Sequence, residues 1–106
     1  MGDAPDKPNP KGFINLSKKL IGDKLGESNI PIAYVGDTIA DINTVINARK
    51  VIPSQKFISI GIAPPHLHLN SRFKERNIYE KGLKKAGANL ILNSINDLIN
   101  INLSIL

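Results

Sequence analysis

Two aspartates four residues apart, Asp37 and Asp41, are the side chains whose type and spacing could do chemistry in this sequence. They follow the short apolar run 31–35, which breaks at Gly36. Such a run, followed by a glycine and an acid, predicts a buried parallel strand, a turn and the start of a helix. Ligands of open parallel sheets bind beyond the carboxyl ends of the strands. We therefore expect Asp37 at such an end, with Asp41 on the same side of the first helical turn.

The acidic pair allows two interpretations. At about 5–6 Å and an effective dielectric of about 20, two carboxylates repel each other by on the order of 3 kcal/mol. A divalent cation would remove this repulsion, and Mg²⁺ commonly takes one or two carboxylates with waters and phosphate oxygens. Alternatively, Asp37 caps the helix, worth about 1 kcal/mol, while Asp41 interacts with the helix dipole, worth about 0.3–1 kcal/mol. The residues alone leave both interpretations open.

The elements that must position this pair follow from hydrophobic periodicity and turn residues. A helix is predicted from Pro10, capped by Asn9, to Ile21, and strands are predicted over 31–36, 56–62 and 88–92. Helices are predicted over about 38–50 and 73–86, and Ser94 is predicted to cap a short helix before the tail 101–106. This order predicts an α/β fold with a parallel sheet and right-handed crossovers. The inward positions are predicted to be Phe13, Ile14, Leu16, Leu20 and Ile21, then Ile39, Ile42 and Ile46, then Ile78, Tyr79, Leu83 and Ala86.

Composition limits the possible functions. The 106 residues fit a single domain, and the absence of cysteine removes thiolate metal sites and fits a reducing, cytoplasmic location. The formal charge of +5 comes with only 5% aromatic residues, so the basic residues fit solvated helix faces better than a nucleic-acid groove. The sequence shows neither a signal peptide nor a membrane span, and we expect neither nucleic-acid nor membrane binding.

Two further candidates lie in predicted loops. Lys7 precedes Pro8 in the proline-rich stretch 1–10, which holds the chain extended. It is either a solvated lysine or one whose ammonium is aimed at a fixed point. His66 and His68 follow the second strand, on the same edge as Asp37. Because zinc takes three or four protein ligands, two histidines make an incomplete site, and we interpret this segment as an edge loop.

Two motifs resemble those of a known family. Gly36-Asp37-Thr38-Ile39-Ala40-Asp41 is similar to the GDxxxD motif of haloacid dehalogenase-like (HAD) hydrolases, and Asp6-Lys7-Pro8-Asn9-Pro10 is similar to that family's lysine motif. One helix and one strand separate them, as in the phosphatase-type branch (subfamily IA-like). The resemblance implies the C-terminal half of a Rossmann-like, three-layer α/β/α core. Residues 1–106 would form one partial domain, with 1–10 as the lysine loop, 31–50 as the acidic metal-binding unit and 101–106 as a tail.

The resemblance also implies chemical roles. Asp37 would bind Mg²⁺ directly, Asp41 directly or through water, and Lys7 would neutralise the carboxylate and phosphoryl oxygens. The reaction would be phosphoryl transfer to an aspartate followed by hydrolysis. The family's Asp-x-Asp nucleophile motif is missing, because none of the six aspartates has a second aspartate two residues on. No nucleophile is therefore assigned, and the preceding Ser/Thr motif and the cap domain are missing too.

The resemblance implies that the chain is the C-terminal fragment of a Mg²⁺-dependent phosphohydrolase of phosphate monoesters. Because the nucleophile is missing, we expect it to be inactive alone and to bind Mg²⁺ weakly or not at all. The expected partners are a complementary N-terminal half or a second copy of the chain, and a phosphorylated small molecule if the site is active. The alternative is a non-catalytic remnant or a cation- or phosphate-binding module.

Overall fold

The computed structural model describes residues 9–27, 30–93 and 97. It is a small α/β fold of the Rossmann-like kind, and as far as the third strand it confirms the predicted order of helices and strands. The bounds are α1 Lys11–Ile21, β1 Ile32–Gly36, α2 Ile39–Val51, β2 Phe57–Ile62, α3 Phe73–Ala86 and β3 Leu90–Leu92. The lysine loop, the helix predicted after Ser94 and the tail lie outside the described residues.

The three strands form one parallel sheet in the order β1-β2-β3. Ile32 pairs with Phe57 and Gly36 with Gly61, so β1 and β2 end at the same edge of the sheet. We call this edge, with Asp37 directly after β1, the carboxyl edge. Within the described residues β1 has a neighbour on one side only, which makes it an edge strand there.

The three helices pack on one face of the sheet. Alternation along β1 places Ile32, Tyr34 and Gly36 on this face and Ala33 and Val35 on the other. One buried cluster joins α1 and α2 to Ile32 and Phe57, and a second joins α2 and α3 to Ile91 of β3. Side chains of the strands form a third cluster on the opposite face, around Ile58, Ile60 and Leu92. The described residues thus form a layer of helices and a layer of sheet, and the third layer implied by the family resemblance stays a prediction.

The buried face of α1 differs from the prediction. Phe13, Ile14 and Ser17 are buried, whereas Leu16 is 56% and Leu20 is 69% exposed. Ser17 can lie inside because its hydroxyl donates to the carbonyl of Phe13 over 2.9 Å, which satisfies its polar group. The inward side of the helix is therefore turned away from the leucines, and their predicted burial is wrong.

Two predicted inward positions near the carboxyl edge are also wrong. Ile39 is 54% and Ile78 is 73% exposed, although Ile42 and Leu83 on the same two helices are buried. Ile39 is the first residue of α2, next to the edge of the sheet where the core ends. Tyr79, the residue after Ile78, does pack inward. Because successive residues are rotated by about 100° around a helix, Ile78 then points away from the core.

A buried glutamine fixes the segment that leads into β1. The Gln55 side chain accepts from the Gly26 N–H over 2.9 Å and donates to the carbonyls of Ile30 and Lys56. Its amide thereby joins both sides of the connection between α1 and β1 to the start of β2. This contact holds the chain just before β1 beside the start of β2.

No helix in the described ranges combines the length and apolar character that crossing a membrane requires.

Candidate functional site

The carboxylate of Asp41 organises the loop at the end of β1. Its Oδ2 atom accepts hydrogen bonds from the backbone N–H groups of Asp37 and Thr38, each over 3.1 Å, and from the Thr38 hydroxyl over 2.9 Å. Its Oδ1 atom accepts from the Tyr34 hydroxyl over 3.0 Å. Asp41 is 3% exposed, so these contacts are shielded from water. One buried acid thus fixes the backbone on which the Asp37 side chain is carried.

Thr38, rather than Asp37, caps α2. The Thr38 hydroxyl accepts from the backbone N–H of Asp41 over 3.1 Å, and the Asp41 side chain returns a hydrogen bond to the Thr38 N–H. This reciprocal pair is a capping box. The interpretation of Asp37 as the helix cap was therefore wrong by one residue, and the first-turn acid predicted to favour the helix start is Asp41.

Asp37 lies on the carboxyl edge and is held through its backbone. Its N–H donates to Asp41, and its carbonyl accepts a hydrogen bond from the Tyr79 hydroxyl of α3. Burial, followed by the charges of Asp37 and Asp41, raises the pKa of Tyr79 above its ordinary value. The Tyr79 hydroxyl therefore stays protonated and keeps donating at neutral pH.

Both tyrosines of the sequence donate to this loop, Tyr34 to the Asp41 carboxylate and Tyr79 to the Asp37 carbonyl. Sequence reasoning placed Tyr79 only as an inward residue and gave Tyr34 no role. A signal was present for Tyr34, because alternation along β1 puts it on the same face as Gly36. The contact of Tyr79 spans 42 residues and has no local signal.

The environment of Asp41 bears on whether the pair could hold a cation. Its Oδ2 atom already has three donors at 2.9–3.1 Å, which leaves little room for Mg²⁺ at the usual distance of about 2.0–2.1 Å. The hydrogen bonds of Asp41 therefore favour Asp37 as the direct ligand of the pair. Within the described ranges, no group of three or more histidines, cysteines and acids could hold a metal ion. The metal roles of Asp37 and Asp41 stay predictions.

The predicted lysine, Lys7, lies outside the described residues. The nearest described residues, Asn9 and Pro10, line a cavity together with Val51. Val51 ends α2, whereas Asp37 comes just before that helix begins. The start of α1 therefore lies near the end of α2. The role of Lys7 stays a prediction.

The segment with the two histidines follows β2 at the carboxyl edge and forms a short 3₁₀ turn, Pro65–His68. His68 Nε2 lies 2.7 Å from the carbonyl of Ala63, to which it must donate because a carbonyl only accepts. The imidazole of His68 thus ties the turn to the end of β2. This agrees with the interpretation of the segment as an edge loop.

A surface cavity of about 370 Å³, wide open to solvent, lies between this turn and α3. Tyr79 lines the cavity with its side chain and contacts Asp37 with its hydroxyl, so the cavity borders the acidic loop. The remaining lining side chains are His66, Leu67, Glu75 and Ile78. The carboxyl edge therefore combines one positioned acid with a neighbouring apolar cavity. No protein-family model, no curated protein and no solved structure matches this chain.

Proposed function

We propose that this chain forms the metal-binding part of a phosphate-processing site of the HAD-like kind, in which Asp37 is the side-chain ligand of Mg²⁺ and Asp41 fixes the loop. The observation that carries the proposal is the set of four hydrogen bonds to the buried Asp41 carboxylate. Capping the start of α2 would require only one or two of these four hydrogen bonds. All four together hold the Asp37 backbone at the carboxyl edge, where parallel sheets bind ligands.

Mg²⁺ suits a site with one protein carboxylate. The ion keeps several waters and commonly completes its shell with phosphate oxygens. A single aspartate on a rigid loop can therefore contribute to a site that is completed by substrate and by a second carboxylate. With Asp37 alone, we expect the ion to be bound weakly by the isolated chain.

The attacking carboxylate would come from a polypeptide segment that these 106 residues do not contain, because they hold no Asp-x-Asp motif. That carboxylate would bond to phosphorus while the leaving oxygen departs, and water would then cleave the aspartyl phosphate. By the family resemblance, Lys7 would neutralise the charge near phosphorus. The chain alone should not turn over phosphate esters.

The direct test is a titration of the full chain with Mg²⁺, followed by the amide signals of residues 36–41 in two-dimensional NMR spectra. We expect shifts that saturate only at millimolar or higher concentration and that disappear in Asp37→Ala. The matched control is Asp23→Ala, an exposed acid in the turn Gly22–Lys24. Binding that survives Asp37→Ala, or is equally lost in Asp23→Ala, would remove Asp37 as the ligand.

Catalysis is tested by adding an N-terminal half, taken from a HAD-like sequence, that carries the Asp-x-Asp and Ser/Thr motifs. Hydrolysis of an aryl phosphate is then assayed in the presence of Mg²⁺. We expect turnover by the mixture only, abolished by Asp37→Asn and strongly reduced by Lys7→Ala. Turnover by the chain alone would show that another group attacks phosphorus.

A second candidate function is a non-catalytic cation- or phosphate-binding module. It is favoured by the engagement of Asp41, whose Oδ2 atom is occupied by three donors. This function predicts ion-dependent shifts near Asp37 without turnover in any mixture.

A further inference from the structure

The cavity next to Asp37 has the size and the lining of a small-molecule site. Its volume of about 370 Å³ lies at the lower end of the range for ligand pockets, roughly 300–1,000 Å³. Leu67, Ile78 and the ring of Tyr79 provide apolar surface, and His66 and Glu75 provide polar groups. Few polar groups in an apolar cavity are typical of sites that orient a small organic molecule.

Ile78 is the unusual member of this lining. It is 73% exposed, the highest value among the large exposed apolar side chains of the described ranges. Leu67, by contrast, is 6% exposed and forms the buried wall. A ligand between them would take apolar surface of Ile78 out of water, which favours binding of an apolar group.

The polar groups set the chemistry of the ligand. The carboxylate of Glu75 accepts hydrogen bonds, and it already pairs with Arg72 over 2.8 Å, which holds it in place. One oxygen of that carboxylate remains able to accept from a ligand, and the His66 imidazole can accept or donate. A ligand group that carries an amine or hydroxyl donor fits this lining better than a group that only accepts, because the carboxylate of Glu75 accepts and cannot donate.

From this lining and its contact with Asp37 through Tyr79, we propose that the cavity binds a ring-containing organic group that carries a hydrogen-bond donor. Its role as the site for the organic part of a phosphate monoester rests on the function proposed above. The phosphoryl group of such a substrate would then lie toward Asp37, and the ring between α3 and the turn Pro65–His68.

The test uses the full chain and three probes, namely benzylamine, benzoate and methylamine, each followed by amide shifts of residues 66–67 and 75–79. We expect benzylamine to bind at least about tenfold more tightly than the other two, since each lacks one required contact and a tenfold change corresponds to about 1.4 kcal/mol. Equal binding of benzoate, or shifts confined to other parts of the chain, would overturn the proposal.

Variants make the test specific. Ile78→Asn should weaken benzylamine binding at least about tenfold, and Glu75→Gln should reduce the preference for benzylamine over benzoate. The matched control is Leu20→Asn, because Leu20 is 69% exposed on a helix and does not line this cavity. Undiminished binding in a folded Ile78→Asn variant would overturn the proposal.

The two proposals fail separately. Benzylamine binding without Mg²⁺-dependent shifts at residues 36–41 would support the cavity site and contradict the metal role of Asp37. Mg²⁺-dependent shifts without benzylamine binding would support the metal role and overturn the cavity site.

Discussion

A Cβ atom on Gly36 would lie 2.3 Å from the Cβ atom of Asp41 and 2.6 Å from its Cγ atom. The side chain of Asp41 therefore packs directly on the Cα atom of Gly36. Gly36 is not one of the three glycines with positive φ, which are Gly22, Gly26 and Gly87. The glycine at the end of β1 is thus required by the close approach of the buried acid and not by its backbone angles.

Gly36→Ala should destabilise the fold by about 3 kcal/mol, because the new methyl group forces Asp41 out of its hydrogen bonds. Gly82→Ala is the control, since a Cβ atom there meets nothing within 4 Å. That substitution in the interior of α3 should stabilise by about 0.5–1 kcal/mol. Urea unfolding of both variants measures the difference, and a neutral Gly36→Ala would contradict the contact.

The two acids should differ sharply in their effect on stability. Asp41→Ala removes the acceptor of four hydrogen bonds and should lower the free energy of unfolding by about 3 kcal/mol. Asp37→Ala should change it by only about 0.5 kcal/mol, because its hydrogen bonds to Asp41 and Tyr79 use backbone atoms. Similar losses in the two variants, measured by urea unfolding, would argue against this division of roles.

The hydroxyl of Tyr79 should contribute stability that depends on pH. Tyr79→Phe removes the hydrogen bond to the Asp37 carbonyl and should cost about 1 kcal/mol at neutral pH. The pKa of Tyr79 is raised in the folded state. The unfolded chain therefore loses its tyrosine proton first, at about pH 10. The advantage of wild type over Tyr79→Phe is full below that pH and declines as the pH rises through the folded pKa.

Parallel unfolding curves of wild type and Tyr79→Phe between neutral and alkaline pH test this, because the lysines titrate equally in both proteins. An advantage that stays constant, or grows with pH, would show that the Tyr79 proton is not retained by folding.

Among the described residues β1 is an edge strand, and this position predicts self-association. The Ile32 N–H donates to the Lys56 carbonyl over 2.9 Å, so the N–H groups of Ala33 and Val35 point away from β2. Such groups on an apolar edge strand favour pairing with another chain. We expect amide exchange at Ala33 and Val35 to slow as concentration rises, while sedimentation shows larger species. A monomer at every concentration with slow exchange at both residues would contradict this.

The fold could be predicted from sequence where the signals are local. The bounds of α3 and the glycine that ends it follow from periodicity and from Gly87, and both agree with the structure. The exposed leucines of α1 could not be predicted, since the burial of Ser17 depends on a hydrogen bond within the helix that competes with hydrophobicity. Periodicity identifies an apolar face, but it does not show which part of that face the sheet reaches.

For the candidate site, the sequence indicated the acids but not their different environments. From sequence, each aspartate had a possible metal role and a possible role at the helix start, and nothing indicated that Asp41 is buried. The structure separates them, because the donors that bury Asp41 come from Tyr34 on β1 and from the loop itself. The link from Tyr79 joins α3 to the loop across 42 residues and required the tertiary structure to be recognised.

Tyr79 belongs both to the cavity and to the acidic loop, because its ring lines the cavity and its hydroxyl holds the backbone of Asp37. A ligand that displaces this ring would break the hydrogen bond to the Asp37 carbonyl. If a cation at Asp37 shifts that carbonyl, binding at the two places is thermodynamically coupled, and each ligand alters the affinity of the other by the same factor. Through the side chain of Tyr79 alone, occupancy of the cavity would then change the affinity of the acidic loop for its ligand, without any movement of the sheet.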